Sequence, residues 1–176
     1  MGARAAARQR RPAIPLTRAG ELHILRDETP DHDAAMSNPN FKQLNYGWNA
    51  DPNVPEPEVV VNGAEVRLTF YLNHWAYEAR ENEKGTLAFR DCSLWRLGPT
   101  NDEGWYAGQC RYSISAPAWG EFYELLGEDD RRLVPADWHK LGPLTSGLRH
   151  FLFYLRDETF ECFGADWKFE RSGASI

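Results

Sequence analysis

Between Glu65 and Asn73 apolar and polar side chains alternate without a break, so that Val66, Leu68, Phe70 and Leu72 share one face of an extended chain and Arg67, Thr69, Tyr71 and Asn73 the other. The preceding run "EVVVN" meets this strand through Asn62 and Gly63, two residues that accept positive φ and can close a type I′ turn. The pattern therefore predicts a hairpin, with the Val66 face toward a core. Upstream, Leu44, Tyr46 and Trp48 alternate with polar or small residues and predict a half-buried first strand. That strand ends in the loop "NADPNVPEPE", where Pro52, Pro55 and Pro57 remove backbone donors. Across residues 86–97, Leu87 and Phe89 share a face, Cys92 and Leu94 fall on the opposite one, and Trp95 and Leu97 then return. A bulge or a sheet-switching bend near Asp91 accounts for this.

After the turn-rich "GPTNDEG", residues 105–114 set Tyr106, Gly108, Cys110, Tyr112 and Ile114 against Trp105, Ala107, Gln109 and Arg111, which predicts another strand. "EFYELL" suits either a helical turn or a strand. The aromatics and Gly120 favour the strand. Trp138 and Leu141, in an irregular charged stretch, are expected to tuck onto the body. Residues 148–156 and 159–163 read as a second hairpin turning at Asp157 and Glu158, followed beyond Gly164 by a short strand bearing Trp167 and Phe169. Phe151, Phe153 and Leu155 face one way, while His150, Leu152 and Tyr154 face the other. With apolar groups on both faces, this strand is central or has one side covered. About eight strands with turns between them predict an all-β chain with room for a short helix: a single antiparallel β-sandwich, barrel or curved meander sheet.

Bulk properties narrow the function classes. A chain of 176 residues with 42% hydrophobic content suits one globular domain. No apolar run approaches the roughly 20 residues needed to span a bilayer, so no membrane association is expected. Cys92, Cys110 and Cys162 form no C-x-x-C pair and are odd in number, which fits small buried hydrophobes in a reducing cytoplasm. Residues 1–35 begin with five arginines and no acid in the first 18 positions, lack a secretory h-region and show no clear hydrophobic period. They read as a disordered basic tail, a transit peptide or, preferably, sequence upstream of a true start at Met36, leaving 36–176 as the domain. Of the 20 basic and 26 acidic side chains, six and five precede Met36, so the remainder carries −7. That balance argues against binding to a nucleic-acid backbone.

His74, His139 and His150 form no metal-ligand spacing, and no nucleophile elbow, P-loop or dinucleotide fingerprint is present. No metal and no cofactor are expected. The recognition candidates are surface aromatics and polar groups. Asp102, Glu103, Trp105, Tyr106 and Arg111 lie in "TNDEGWYAGQCRY". Tyr71, Asn73 and Trp75 lie in "FYLNHWAYE", and His150 and Tyr154 lie on the second face of the late hairpin. Each stretch has a plainer account as a hairpin connection or a solvated face with rings capping the core. The leading expectation is a non-enzymatic protein whose acidic, aromatic-bearing surface engages a protein partner. Its size and charge share the general character of immunity proteins that neutralise basic bacterial toxins, a likeness of character and not of motif. A carbohydrate or small-ligand binding module and an enzyme with a dispersed site are the alternatives.

Overall fold

The computed structural model describes residues 39–115 and 118–172; the expectations for residues 1–35 lie outside them. In chain order the strands are β1 (Asn40–Gln43), β2 (Glu58–Asn62), β3 (Glu65–Tyr71), β4 (Lys84–Arg90), β5 (Leu94–Gly98), β6 (Phe122–Leu126), β7 (His139–Lys140), β8 (Arg149–Tyr154), β9 (Thr159–Gly164) and β10 (Asp166–Ser172). Among the described residues a single short helix, α1 (Asp102–Tyr106), lies between β5 and β6. The strands form two wholly antiparallel sheets, ordered β1-β6-β8-β9-β5-β7 and β10-β4-β3-β2. The two sheets pack face to face as a β-sandwich.

The alternation in β3 and β4 explains the inner layer. Val66, Leu68, Phe70, Leu87 and Phe89 are fully buried, and they meet Phe122, Phe151, Phe153, Phe160 and Cys162 from the six-stranded sheet. Phe70 and Phe153 approach edge to face at 5.1 Å between ring centroids, and Phe89 lies 5.2 Å from Phe160. Such pairs add about 0.5–1.5 kcal/mol each beyond the area they bury. Trp48 closes the core beside β10, its ring parallel to that of Phe169 at 4.0 Å.

The bend expected near Asp91 is a corner at which the chain changes sheets. Asp91 takes φ +52°, and β4 and β5 lie in different sheets on either side of it. β9 and β10 make the same crossing alongside, held by Ala165 N–H donating to Arg90 O (2.9 Å) and Ser93 N–H donating to Phe163 O (2.9 Å). At Gly164 a Cβ would stand 3.1 Å from Arg90 O and 3.2 Å from Cys92 Sγ, so the close passage of the two chains leaves little room for a side chain.

Three expectations are corrected. The first hairpin does turn where predicted, but Asn62 pairs with Glu65, so the central residues are Gly63 and Ala64. Gly63 has φ +60° and Ala64 is not in the left-handed region, the signature of a II′ and not a I′ turn. Residues 44–48 are not a strand. Asn45 is buried there, accepting from Phe122 N–H and donating to Trp48 O and Glu121, and the chain then bends at Gly47 (φ +77°), leaving Tyr46 in solvent. Residues 105–114 are not a strand either. Asn101 caps α1 by accepting from Gly104 N–H, which turns Trp105 inward and Tyr106 outward, and the segment continues through turns with Gly108 and Tyr112 at positive φ.

These turns cover the outer face of the six-stranded sheet. Trp105 and Tyr112 pack with Tyr123, Leu125, Leu152 and Tyr154 in a second core cluster, which explains why both faces of β8 are apolar. Phe153 contacts Trp48, Phe70 and Phe122 within the sandwich. Phe153→Ala is expected to cost about 3–5 kcal/mol by urea unfolding, and a loss below 1 kcal/mol would contradict the packing described.

Candidate functional site

Sequence-remote residues meet in two places. The first lies between the six-stranded sheet and its covering layer. Across β5 and β9, Arg96 stands directly opposite Glu161, and across β8 and β9 Glu161 stands opposite Leu152 with His150 two residues away on the same face. The Glu161 carboxylate is fully buried. One oxygen accepts from Arg96 Nη1 (2.7 Å) and from Arg111 Nη2, the other from His150 Nε2 (2.8 Å). Arg96 also grips Asp137 through Nε and Nη2 (2.8 and 2.9 Å), a bidentate pair. Arg111 Nη1 donates to the carbonyls of Arg131 (2.7 Å) and Arg132 (2.9 Å), and Tyr112 Oη donates to Asp129. The cluster therefore fastens both halves of the covering layer to the sheet.

Its protonation follows from burial and neighbours. Burial strips the imidazolium of water, and Arg111 and Arg132 repel it, so His150 titrates below its ordinary value despite Glu161. The neutral ring donates through Nε2 and stacks on Phe163 at 4.3 Å, while Nδ1 has no partner among the described residues. Burial also pushes the Glu161 carboxyl up, but the His150 hydrogen bond and the two guanidiniums outweigh it and hold the group below its ordinary value. Tyr154 Oη is buried without a partner among the described residues, and burial raises its pKa, so it stays protonated. A cavity of about 70 Å³ lies beside Tyr154, Arg96, Arg111 and Glu161. At about 30 Å³ per water it holds two or so waters, far below the roughly 300 Å³ of a small-molecule pocket. With every Glu161 oxygen occupied by donors, the cluster is suited to holding structure and not to proton transfer.

The second place is the end of the sandwich where the loops at 49–57, 73–82, 101–106, 119–121 and 155–156 gather. Two hollows of about 260 and 390 Å³ adjoin there and share Asp51 in their walls. Asp102 and Tyr106, four residues apart and so on one side of α1, both line the first. Asn73 Oδ1 accepts from the N–H groups of Trp75 and Ala76 (3.1 Å each), building the turn that projects Trp75 at the second. The Trp75 ring rests 4.4 Å from that of His74, whose Nδ1 is 3.9 Å from Asp51. Asp51 Oδ1 accepts from the N–H groups of Asn53 and Val54, fixing the proline-rich loop. Glu56, between two prolines at φ +41°, and Glu81 also line the second hollow. Among the described residues Arg156 is the one guanidinium in either lining.

The structure thus divides the residues singled out from the sequence. Tyr71, Asn73, Trp75, Asp102 and Tyr106 line the hollows, with the Lys84 ammonium 4.7 Å from the Tyr71 ring centroid. Glu103 is exposed beside them but lines neither. Trp105, His150 and Tyr154 are buried and Arg111 is held inward, so none of these four projects outward as expected; the covering layer has closed over the face they occupy. Tyr154 instead forms part of the floor of the first hollow and a wall of the internal cavity. Asp51, Glu56, Glu81 and Glu161 were not anticipated. The density of acids and amides in a proline-rich loop was a usable signal for the first two.

Among the described residues no group of three His, Cys, Asp or Glu side chains converges as a metal site requires, and no helix is long and apolar enough to cross a membrane. No protein-family model, curated protein or solved structure matches the chain.

Two outcomes follow from the buried cluster. Glu161→Gln leaves Arg96 and Arg111 without their shared counter-charge and is expected to cost about 3–5 kcal/mol in urea unfolding. Because folded His150 binds its proton less readily than the unfolded chain does, its contribution is full above about pH 6.5 and is lost as pH falls below that value. Tm is therefore expected to hold at neutral pH and fall in mildly acidic buffer. His150→Gln should flatten the first part of that fall, and an unchanged pH profile for this variant would refute the assignment.

Proposed function

We propose that this protein is a non-enzymatic binding protein that engages a basic segment of a protein partner in the groove at the loop end of the sandwich. One observation carries the reading. Among the described residues the two hollows bear Asp51, Glu56, Glu81 and Asp102 against the single guanidinium of Arg156, and they are flanked by the rings of Trp75 and Tyr106, which are 77% and 76% exposed. Exposed rings of this size add nothing to the monomer's core, and Trp and Tyr are the residues that anchor protein contacts. A lysine or arginine entering between them gains a carboxylate and an aromatic face together, and the second is worth about 0.5–2 kcal/mol. The excess negative charge of the domain would speed the approach of such a partner. Neutralisation of a basic enzyme in the cytoplasm, in the manner of an immunity protein, fits this chemistry, whereas a nucleic-acid backbone does not.

A carbohydrate reading has one observation in its favour: Asn49 and Asn73 line the first hollow beside Tyr106 and Trp119, amides and rings of the kind that hold a sugar. Binding of glycans across a panel, read by tryptophan fluorescence, would favour it over the first.

With a partner captured from the native host by cross-linking, Trp75→Ala and Tyr106→Ala are each expected to weaken binding by about tenfold or more while leaving Tm unchanged. Glu81→Lys should slow association and reduce its salt dependence with little effect on dissociation. Unaltered affinity in both ring variants, or a partner with no basic segment at the contact, would defeat the proposal.

A further inference from the structure

The two sheets have four edges among the described residues, and three are guarded. β10 carries Asp166, Lys168, Glu170 and Arg171 in alternating charge; β1 carries Lys42 and follows Pro39; β7 is two residues long. Charge, proline and shortness are the usual means of keeping a sheet edge from pairing with another chain. β2 follows Pro57 and opens with Glu58, but past that first residue its centre carries no charge and no proline. Its sequence is EVVVN, with Val60 50% and Val61 37% exposed.

The free side of β2 can be read from its register. In a hairpin closed by a two-residue loop, Asn62 and Glu65 form the last hydrogen-bonded pair, and alternation makes Val60 with Arg67 and Glu58 with Thr69 the next two. The N–H and C=O groups of Val59 and Val61 therefore turn away from β3. A second β2 laid antiparallel, with the two-fold axis at Val60, would set Val59 opposite Val61 of the other copy and Val61 opposite its Val59. Each residue would then meet the backbone groups it needs. The same register sets Val60 beside Val60 and Glu58 beside Asn62, so valine meets valine and no like charges face each other. The segment is self-complementary in hydrogen bonding, shape and charge.

We propose that β2 is the pairing edge of a symmetric dimer of this chain, joining two four-stranded sheets into one of eight strands. It stands independently of the groove, whose hollows do not include β2. A five-residue strand buries less than a standard interface, so the dimer is weak and reversible.

Sedimentation equilibrium of the full chain from low micromolar to near-millimolar concentration tests it. The wild type is expected to follow a monomer–dimer equilibrium, and Val60→Lys to raise the dimer dissociation constant by about tenfold or more, because two valines lose their cover and two ammonium groups are set face to face. Val60 is half exposed and stands opposite Arg67, so Tm should fall only slightly, whereas the monomer–dimer shift is expected to be large. Val60→Cys in a Cys110→Ser background reports the register, since directly opposed residues of a non-hydrogen-bonded antiparallel pair have Cα atoms about 4.5 Å apart, within disulfide reach. This variant is expected to form a covalent dimer under copper–phenanthroline oxidation, while Val54→Cys in the same background should not. Monomer at every concentration, a dimer that Val60→Lys leaves intact, or equal cross-linking of both cysteines would overturn the proposal.

Discussion

Leu152 and Tyr154 stand on the face of β8 that looks away from the sandwich, and Glu161 stands beside them on β9. Two apolar side chains there need cover from water, and a carboxylate under that cover needs counter-charge. The covering layer supplies the cover and part of the counter-charge, and the neighbouring strand β5 supplies the rest. Trp105 and Tyr112 lie over the apolar part, while Arg96 and Arg111 bring guanidiniums to Glu161. A buried ion cluster of this kind adds little net stability over an apolar equivalent, but it penalises any arrangement in which its members separate. The register of the layer is thereby tied to the register of the sheet: Arg111 can reach Glu161 and the Arg131 and Arg132 carbonyls together only when both loops are seated.

Seating those loops has consequences at the end of the sandwich. Asn101 starts α1, α1 turns Trp105 down onto Tyr154 at 4.5 Å, and the same helix lifts Tyr106 and Asp102 to the rim of the first hollow. The ring that stabilises the layer and the ring left exposed at the hollow are thus consecutive residues pointing in opposite directions. Rigidity beneath exposed groups is what a recognition surface needs, because a partner then does not have to supply the ordering entropy.

Where the sequence was legible, burial on one face dictated a strict two-residue period. Val66, Leu68 and Phe70, or Phe151 and Phe153, could be placed without coordinates for that reason, and the break in period around Asp91 marked the crossing between sheets. Residues 105–114 misled because their alternation of aromatic and small residues is what a strand would show. A capping Asn101 and a left-handed Gly108 outweighed it locally. Asn45 misled in the opposite sense: a polar residue in an apparent solvent-facing position is buried because it completes three hydrogen bonds inside the fold.

The amino-acid sequence alone determined an antiparallel all-β fold, the two main hairpins, the acidic balance and the aromatics available for contact, since each depends on near neighbours or on sums over the chain. Tertiary structure decided which of those aromatics reach solvent, that Glu161 is buried among cations, and that Asp102 and Tyr106 line one hollow and Trp75 a second, with Asp51 in the walls of both. These depend on which outer face is covered and on which loops end side by side, and both are set by pairings between residues tens of positions apart that no local period encodes.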